Sequence, residues 1–219
     1  MPRIARFVIQ DHFYHITQRG NNQKIIFHDD QDRKRYLLWM EEYRTKYAVK
    51  IFAYCLMSNH VHLIIMPNEQ ASLARIFNTV HMRYAQYYNR RYQSSGHLWQ
   101  GRYYSCLLDE KHLAAAVRYV ERNPVRVQMT RQAWHWPWSS AGNHLGKING
   151  LLYLSDIREF LDIENWQEYL GTEDAEEDLK SIRQHTISGH LWGTPEFTEK
   201  LENKYNIQLT KSPPGRPYK

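Results

Sequence analysis

Two histidines separated by one residue, His60 and His62, are the side chains of this sequence best suited to chemistry. They begin an apolar run that continues to Met66 and predicts a β-strand. Because side chains alternate between the two faces of a strand, both imidazoles are expected to point the same way. Two neighbouring imidazoles on a rigid strand can supply most of a divalent-metal site. The spacing alone does not separate such a site from two ordinary strand histidines, since the chain contains 12 histidines.

A tyrosine and an amide on a predicted helix, Tyr119 and Asn123, could complete such a site. Their spacing of four places them on one face if Asn123 still belongs to the last helical turn. A free phenol is a poor nucleophile at neutral pH, but beside a metal-bound phosphate it can lose its proton and attack phosphorus. The Asn123 oxygen could join the imidazoles, and such a mixed set of ligands suits Mg²⁺ or Mn²⁺. Taken singly, Tyr119 is more typical of core packing, and Asn123, which precedes Pro124, of a helix end.

The elements that must position these residues follow the order β-α-β-β-α-β-α. Strands are predicted at 12–18, 49–57, 60–66 and 101–108, and helices at 30–47, 72–92 and 110–122. The predicted helix N-caps are Asp29 or Asp30, Ser72 and Asp109, and Pro124 ends the last of these helices. This order predicts an α+β fold of the ferredoxin-like, split βαβ type, an antiparallel sheet with helices on one face. Residues 1–147 are expected to form this domain, and residues 148–219 a small helical C-terminal region with a flexible tail.

Charge is distributed unevenly between these two parts. Residues 1–147 carry 21 Lys and Arg against 10 Asp and Glu, a net charge of +11, whereas residues 148–219 carry 8 against 13, a net charge of −5. The basic part favours a polyanionic partner, although a solubility surface is the simpler alternative. Cys55 and Cys106 lie in predicted strands without metal-site spacing and are expected to be reduced thiols. No signal peptide or membrane span is recognisable, which predicts a cytoplasmic protein without a membrane partner.

Five segments together resemble a known family. They are Arg19-Gly20-Asn21-Asn22, Tyr54 to Leu63, Gly96 to Tyr103, Arg118 to Arg126 and Pro137-Trp138-Ser139-Ser140. In this order they are similar to the single-tyrosine HUH transposases, and most of all to the REP-associated tyrosine transposases, which act on repetitive extragenic palindromes. The resemblance covers about residues 3–145, and the end of the chain, Gly215-Arg216-Pro217, also resembles tails seen in this branch.

The resemblance implies roles for particular residues. His60 and His62 would bind a divalent metal, Mg²⁺ or Mn²⁺, Tyr119 would be the nucleophile, and Asn123 falls on the position of a third metal ligand. Residues 1–147 would then be the catalytic domain of a transposase. It would cleave and rejoin single-stranded DNA through a 5′-phosphotyrosine, with no small-molecule substrate. The implied partner is a DNA hairpin of a repetitive extragenic palindrome, and the branch favours a monomer, with a dimer as the alternative.

Several basic and aromatic side chains in the first 147 residues are candidate DNA contacts. Stacking on unpaired bases is predicted for Tyr88, Trp99, Tyr103 and Trp136, with core packing as the alternative. Phosphate contacts are predicted for seven arginines: Arg83, Arg90, Arg91, Arg102, Arg118, Arg122 and Arg126. The acidic C-terminal region could fold over the basic face and compete with DNA, or act as an accessory clamp.

Two other functions remain compatible with the sequence. One is a non-catalytic module that binds single-stranded nucleic acid on a ferredoxin-like sheet. The other is a metal-dependent hydrolase that uses water as its nucleophile.

Overall fold

A single antiparallel sheet organises the chain in the computed structural model, which describes residues 8–148, 150–189 and 191–209, without the side chains of Ile187 and Ser188. Its strands are β1 (Phe13–Arg19), β2 (Val49–Leu56), β3 (His60–Pro67) and β4 (Tyr104–Leu108), in the spatial order β2-β3-β1-β4. Helix α1 (Asp30–Lys46) connects β1 to β2, and α2 (Ser72–Arg91) connects β3 to β4. This confirms the predicted split βαβ, ferredoxin-like α+β fold.

Two of the predicted helix N-caps are confirmed and one is not. Asp29 and Asp109 accept hydrogen bonds from the third residue of the helix that each precedes, at 3.1 and 2.8 Å, as N-cap carboxylates do. Ser72 is not an N-cap, because Ala71 precedes the helix and the Ser72 hydroxyl accepts instead from the Glu69 amide. Strand β4 begins only at Tyr104, three residues later than predicted.

Helices cover both faces of the sheet rather than one. The sheet residues Ile16, Leu63 and Ile65 face α1 and α2, which pack together on one side as the split βαβ unit requires. Ile64 and Cys106 face the other side and pack against α3 (Glu110–Glu121). The prediction of helices on one face is therefore corrected: the central strands are apolar on both faces, and each face needs a cover.

The C-terminal region builds most of the second layer together with α3. Its helices are α6 (Trp166–Gly171), α7 (Glu176–Ser188) and α8 (Pro195–Tyr205), preceded by the short turns α4 (Asn123–Arg126) and α5 (Ala141–His144). Trp166, Leu170, Ile182 and Trp192 share one buried cluster with α3. The predicted tail, Lys211 to Lys219, lies outside the described residues, and a boundary at residue 147 stays a prediction.

The two cysteines are free thiols, as expected. Cys55 is on β2 and Cys106 on β4, at opposite edges of the sheet. Three strand spacings separate these edges, about 14 Å, so a disulfide between them is excluded.

None of the described helices combines the length and the apolar character needed to cross a bilayer.

Candidate active site

The two predicted metal ligands lie side by side at the start of β3. The ring centroids of His60 and His62 are 4.9 Å apart, and the rings are nearly perpendicular. Strand alternation places both on the face that α3 covers, because the residues between and after them, Val61 and Leu63, face α1 and α2. His62 is 5% exposed, and His60 is half-buried. The prediction that both imidazoles share one face is thus confirmed by the fold.

Burial favours the neutral form of both rings, and Nδ1 of each ring has a hydrogen-bond partner. Burial lowers the pKa of His60 to about 4, and burial together with the neighbouring cationic forms of His60 and His15 lowers the pKa of His62. Nδ1 of His60 lies 2.6 Å from the side-chain oxygen of Asn59, and Nδ1 of His62 lies 3.1 Å from the Thr17 hydroxyl. Neutral imidazole is the form that binds metals, and these contacts leave Nε2 of each ring as the candidate ligand atom.

Tyr119, on the last turn of α3, lies against His62 and His15. Its ring meets that of His62 edge-on, with centroids 5.6 Å apart and an angle of 85° between the planes. The guanidinium of Arg126 lies over the Tyr119 ring, 4.1 Å from its centroid, and donates a hydrogen bond to the Tyr119 carbonyl. The fold therefore brings together a half-buried phenol, two imidazoles and a cation, although β3 and α3 are far apart in sequence.

Asn123 is not part of the helix that carries Tyr119. Helix α3 ends at Glu121, and Asn123 opens the separate turn α4, with Pro124 in its first turn. Asn123 is 6% exposed, and its side-chain nitrogen has no hydrogen-bond partner. It makes no hydrogen bond to either histidine within the described part of the chain. The unpartnered atom is the amide nitrogen, a donor, so it fits an acceptor such as a phosphate oxygen, whereas a metal would be bound by the amide oxygen.

The donor set fits a divalent cation only if an amide or a phosphate joins the imidazoles. Among the described residues, no group of three His, Cys, Asp or Glu side chains could hold a metal. Two imidazoles whose Nε2 atoms have no hydrogen-bond partner among the described residues fit an open site that an amide oxygen and substrate oxygens would complete. His60 and His62 are the residues that would hold Mg²⁺ or Mn²⁺, and Asn123 stays the predicted third ligand.

Three side chains behind His62 were missed by the sequence analysis. His15 stacks on His62 with ring centroids 5.1 Å apart, and its Nε2 lies 2.9 Å from Nδ1 of His62. The other nitrogen of His15 lies 2.9 Å from the Thr186 hydroxyl of α7. Thr17, opposite His62 in the β1–β3 register, completes the set. The alternation of His15 and Thr17 in the first strand was the available signal, but it identifies partners only once the pairing of β1 with β3 is known.

The arginines near Tyr119 are already paired with an acidic residue. Asp174, whose side chain is 7% exposed, lies 3.6 Å from Arg118, 3.1 Å from Arg122 and 2.9 Å from Arg126. Arg122 also donates to the Leu170 carbonyl at 2.5 Å. The C-terminal region thus neutralises three of the predicted phosphate contacts, so that none of the three is a free surface cation in this conformation.

The other predicted phosphate contacts lie elsewhere. Arg83, Arg90 and Arg91 are on α2, across the sheet from Tyr119. Arg91 is paired with Asp29 at 2.5 Å and Asp32 at 2.6 Å, whereas Arg83 lies over aromatic rings of α1. Arg90 and Arg102 are exposed, which keeps these two as the simplest candidates for phosphate contacts.

The predicted stacking residues are mostly part of the core. Tyr88 is 2% exposed and donates to the Ile25 carbonyl, and Tyr103 is 7% exposed and packs on Phe77. The prediction that these two stack on bases is therefore wrong for this conformation, because both rings are buried in the core. Trp99 and Trp136 are half-buried, with their indole nitrogens bonded to the His81 and Leu56 carbonyls.

A buried carboxylate fixes the end of α3. Glu121 is fully buried, accepts hydrogen bonds from the Ser140 hydroxyl and the Trp166 indole, and lies 2.7 Å from Nδ1 of His144. Burial by itself lowers the pKa of His144, but the Glu121 carboxylate outweighs burial and leaves the pKa of His144 raised. This network joins α3, α5 and α6 two residues after Tyr119 and holds the helix end in place.

Comparison with known proteins agrees with this architecture. The family model described as "Transposase IS200 like" matches residues 8–123, whereas no curated protein gives a significant match. A solved structure of a REP-associated tyrosine transposase bound to a REP hairpin superposes with a TM-score of 0.53 at 16% identity, covering 75% of this chain and 96% of that one. At this identity the likeness concerns the fold. A transposase-like structure from Deinococcus radiodurans R1 reaches a TM-score of only 0.36 at 14% identity, covering 59% and 94%, and supports no argument.

The family match spans more than half of the chain and includes both histidines and Tyr119. The general activity of this family is DNA strand transfer. The chain belongs to the IS200-like transposase family.

Proposed function

We propose that this protein is a metal-dependent transesterase of single-stranded DNA that cleaves and rejoins strands through a 5′-phosphotyrosine on Tyr119. The observation that carries the proposal is the edge-on contact of Tyr119 with His62, 5.6 Å between ring centroids, in a transposase fold. A tyrosine beside an imidazole that could bind a divalent cation supports phosphoryl transfer, because the metal would bring the phosphate close to the phenol. A divalent cation bound by His60, His62 and Asn123 would polarise the scissile phosphate.

The chemistry of the chain's own residues follows from this geometry. The Tyr119 oxygen attacks phosphorus, the phenol loses its proton, and the bond from phosphorus to the 3′ oxygen breaks. The released 3′ oxygen takes up a proton and becomes a hydroxyl. Arg126 lies over the Tyr119 ring but is paired with Asp174 at 2.9 Å, so its charge would stabilise a negative phenol oxygen fully only when that ion pair opens. Because the covalent link retains the phosphodiester energy, a second 3′-hydroxyl can reverse the step without ATP.

The substrate proposed is a palindromic DNA hairpin with an adjacent single-stranded segment. Two facts support it: the basic charge of residues 1–147, and the fold shared with a transposase that was solved bound to a REP hairpin. Exposed Arg90 and Arg102 are candidate phosphate contacts, and half-buried Trp99 and Trp136 are candidate stacking residues. A cytoplasmic location near the nucleoid and a monomeric state remain predictions.

A denaturing gel tests the proposal. Wild-type protein and Tyr119→Phe are incubated with end-labelled hairpin DNA, drawn from palindromes of the host genome, and Mn²⁺. A covalent protein–DNA adduct is expected in the wild type alone, while Tyr119→Phe retains DNA binding, because only the reacting oxygen is lost. Cleavage without an adduct would indicate a hydrolase that uses water. Binding with neither product would indicate a non-catalytic nucleic-acid-binding module.

A further inference from the structure

The contacts behind His62 form a continuous chain into the C-terminal region. Nδ1 of His62 lies 2.9 Å from Nε2 of His15, and Nδ1 of His15 lies 2.9 Å from the hydroxyl of Thr186. His15 is fully buried and stacks parallel to His62, with 8° between the ring planes. Thr186 is 6% exposed and lies on α7, outside the residues that the family model matches. Thr186 of the second layer therefore contacts His15, the side chain that packs against the candidate metal ligand His62.

The hydrogen bonds favour one arrangement of protons. A neutral imidazole carries one N–H. The Thr17 hydroxyl is placed to donate its single proton to the Val61 carbonyl at 3.0 Å, which leaves its oxygen to accept from Nδ1 of His62 at 3.1 Å. When His62 carries its proton on Nδ1, this N–H is shared between two acceptors, the Thr17 oxygen and Nε2 of His15. His15 then carries its own proton on Nδ1 and donates it to Thr186.

This arrangement matters for Nε2 of His62, the candidate metal-binding atom. A proton on Nδ1 of His62 leaves a lone pair on Nε2, which is the form able to bind a cation. In the opposite arrangement His15 would donate to His62, the proton of His62 would move to Nε2, and the candidate ligand atom would be blocked. The tautomer of His62 is thus decided by the residues behind it.

We propose that His15 is a positioning residue for the metal ligand His62, and that Thr186 of the C-terminal region anchors His15 in that role. The inference rests on the proposed function, in which His62 binds a divalent cation. It assigns part of the outer layer of the metal centre to residues 148–219, so that this region helps to build the site as well as to cover it. His15 does not itself touch substrate or metal in this scheme.

The tautomers can be read directly in the metal-free protein. Long-range ¹H–¹⁵N spectra of the full-length chain with ¹⁵N-labelled histidine distinguish a proton on Nδ1 from one on Nε2. The expected result is Nδ1–H for both His15 and His62. A proton on Nε2 of His62 overturns the role of His15, whether or not the protein binds metal.

Metal affinity supplies the second test, with free Mn²⁺ measured by electron paramagnetic resonance during titration of the full chain. His15→Phe keeps the stacked ring but removes the acceptor, and is expected to weaken Mn²⁺ binding about 10- to 100-fold. Thr186→Val should weaken it about three- to tenfold, while Thr186→Ser, which keeps the hydroxyl, restores wild-type affinity. Thr198→Val, on α8, removes a hydroxyl that donates to the carbonyl of the helix N-cap Thr194, away from His15, and is the control.

The outcomes separate the inference from the proposed function. No Mn²⁺ binding by the wild-type chain contradicts the proposed metal site itself. Mn²⁺ binding that His15→Phe leaves unchanged contradicts only the role of His15. An equal loss of affinity in Thr186→Val and Thr186→Ser contradicts the anchoring role of the hydroxyl. Thermal melting of each variant, recorded without metal, shows that the chain is folded during the titration.

Discussion

Removal of the charge on Asp174 is the perturbation whose consequences the structure defines most sharply. One carboxylate with 7% of its side chain exposed neutralises Arg118, Arg122 and Arg126 at distances of 2.9 to 3.6 Å. These arginine side chains are themselves between 9% and 15% exposed. In Asp174→Asn the shape is kept, but three guanidinium groups lose their counter-charge in a poorly hydrated place.

Two magnitudes follow from this geometry. Loss of one partner of a buried ion pair costs about 3 to 5 kcal/mol, and the retained amide oxygen favours the lower value, about 3 kcal/mol. For a chain of this size such a loss lowers the melting temperature by about 6 to 12 °C. If the C-terminal region competes with DNA for these arginines, release of three cations should also steepen the salt dependence of single-strand binding by about 2 in logarithmic slope.

The assay is fluorescence anisotropy with a labelled hairpin carrying a single-stranded segment, at several salt concentrations, paired with thermal melting. Asp174→Asn is expected to bind more tightly at low salt and with the steeper slope. Glu177→Gln, which removes an exposed acid of α7, is the matched control and should change neither quantity by a comparable amount. A lower melting temperature with unchanged affinity and slope would refute competition between Asp174 and DNA. Weaker binding would support a clamp in its place.

Three further tests address other parts of the site. Asn123→Ala should weaken Mn²⁺ binding, measured by electron paramagnetic resonance, by about tenfold or more if the amide is a ligand, and unchanged affinity would remove it from the site. Arg90→Ala and Arg102→Ala should each reduce the logarithmic salt slope of hairpin binding by about 0.7, and an unaltered slope would exclude a phosphate contact. Glu121 leaves the pKa of His144 raised above its ordinary 6.5. The Glu121–His144 pair therefore contributes its full stabilisation below pH 6.5, and this contribution is lost as the pH rises through the folded-state pKa of His144. Melting temperatures should therefore fall less between pH 6.5 and 8.5 in His144→Gln than in the wild type, and parallel profiles would contradict the assignment.

Local patterns predicted the parts of the site that depend on local geometry. The common face of His60 and His62 follows from strand alternation, which depends only on neighbouring residues. The position of Tyr119 near the end of its helix follows from the cap at Asp109 and the proline at 124, again local features. The order of strands and helices was enough for the split βαβ topology, since few arrangements connect such elements without crossing.

Predictions that needed distant partners failed or were incomplete. Tyr88 and Tyr103 look like the aromatics of a nucleic-acid surface in sequence, yet both are core residues, because exposure depends on what α1 and α2 cover. Arg118 and Arg122 look like free cations, yet Asp174, about fifty residues later, pairs with them. Composition gives the number of charged residues but does not show which of them form ion pairs.

The sequence by itself determined the fold class and the paired histidines on one strand face, because these depend on residue spacing within one element or on the order of elements, whereas Tyr119 as candidate nucleophile came from the resemblance to a family. The tertiary structure alone decided that α3 covers the face opposite to α1 and α2, that His15 and Thr186 lie behind His62, and that Asp174 neutralises the arginines beside Tyr119. Hydrogen bonds and ion pairs act over about 3 Å, whereas the residues that make them here are separated by up to 171 positions along the chain. Only the packing of the second layer on the sheet brings them within that range.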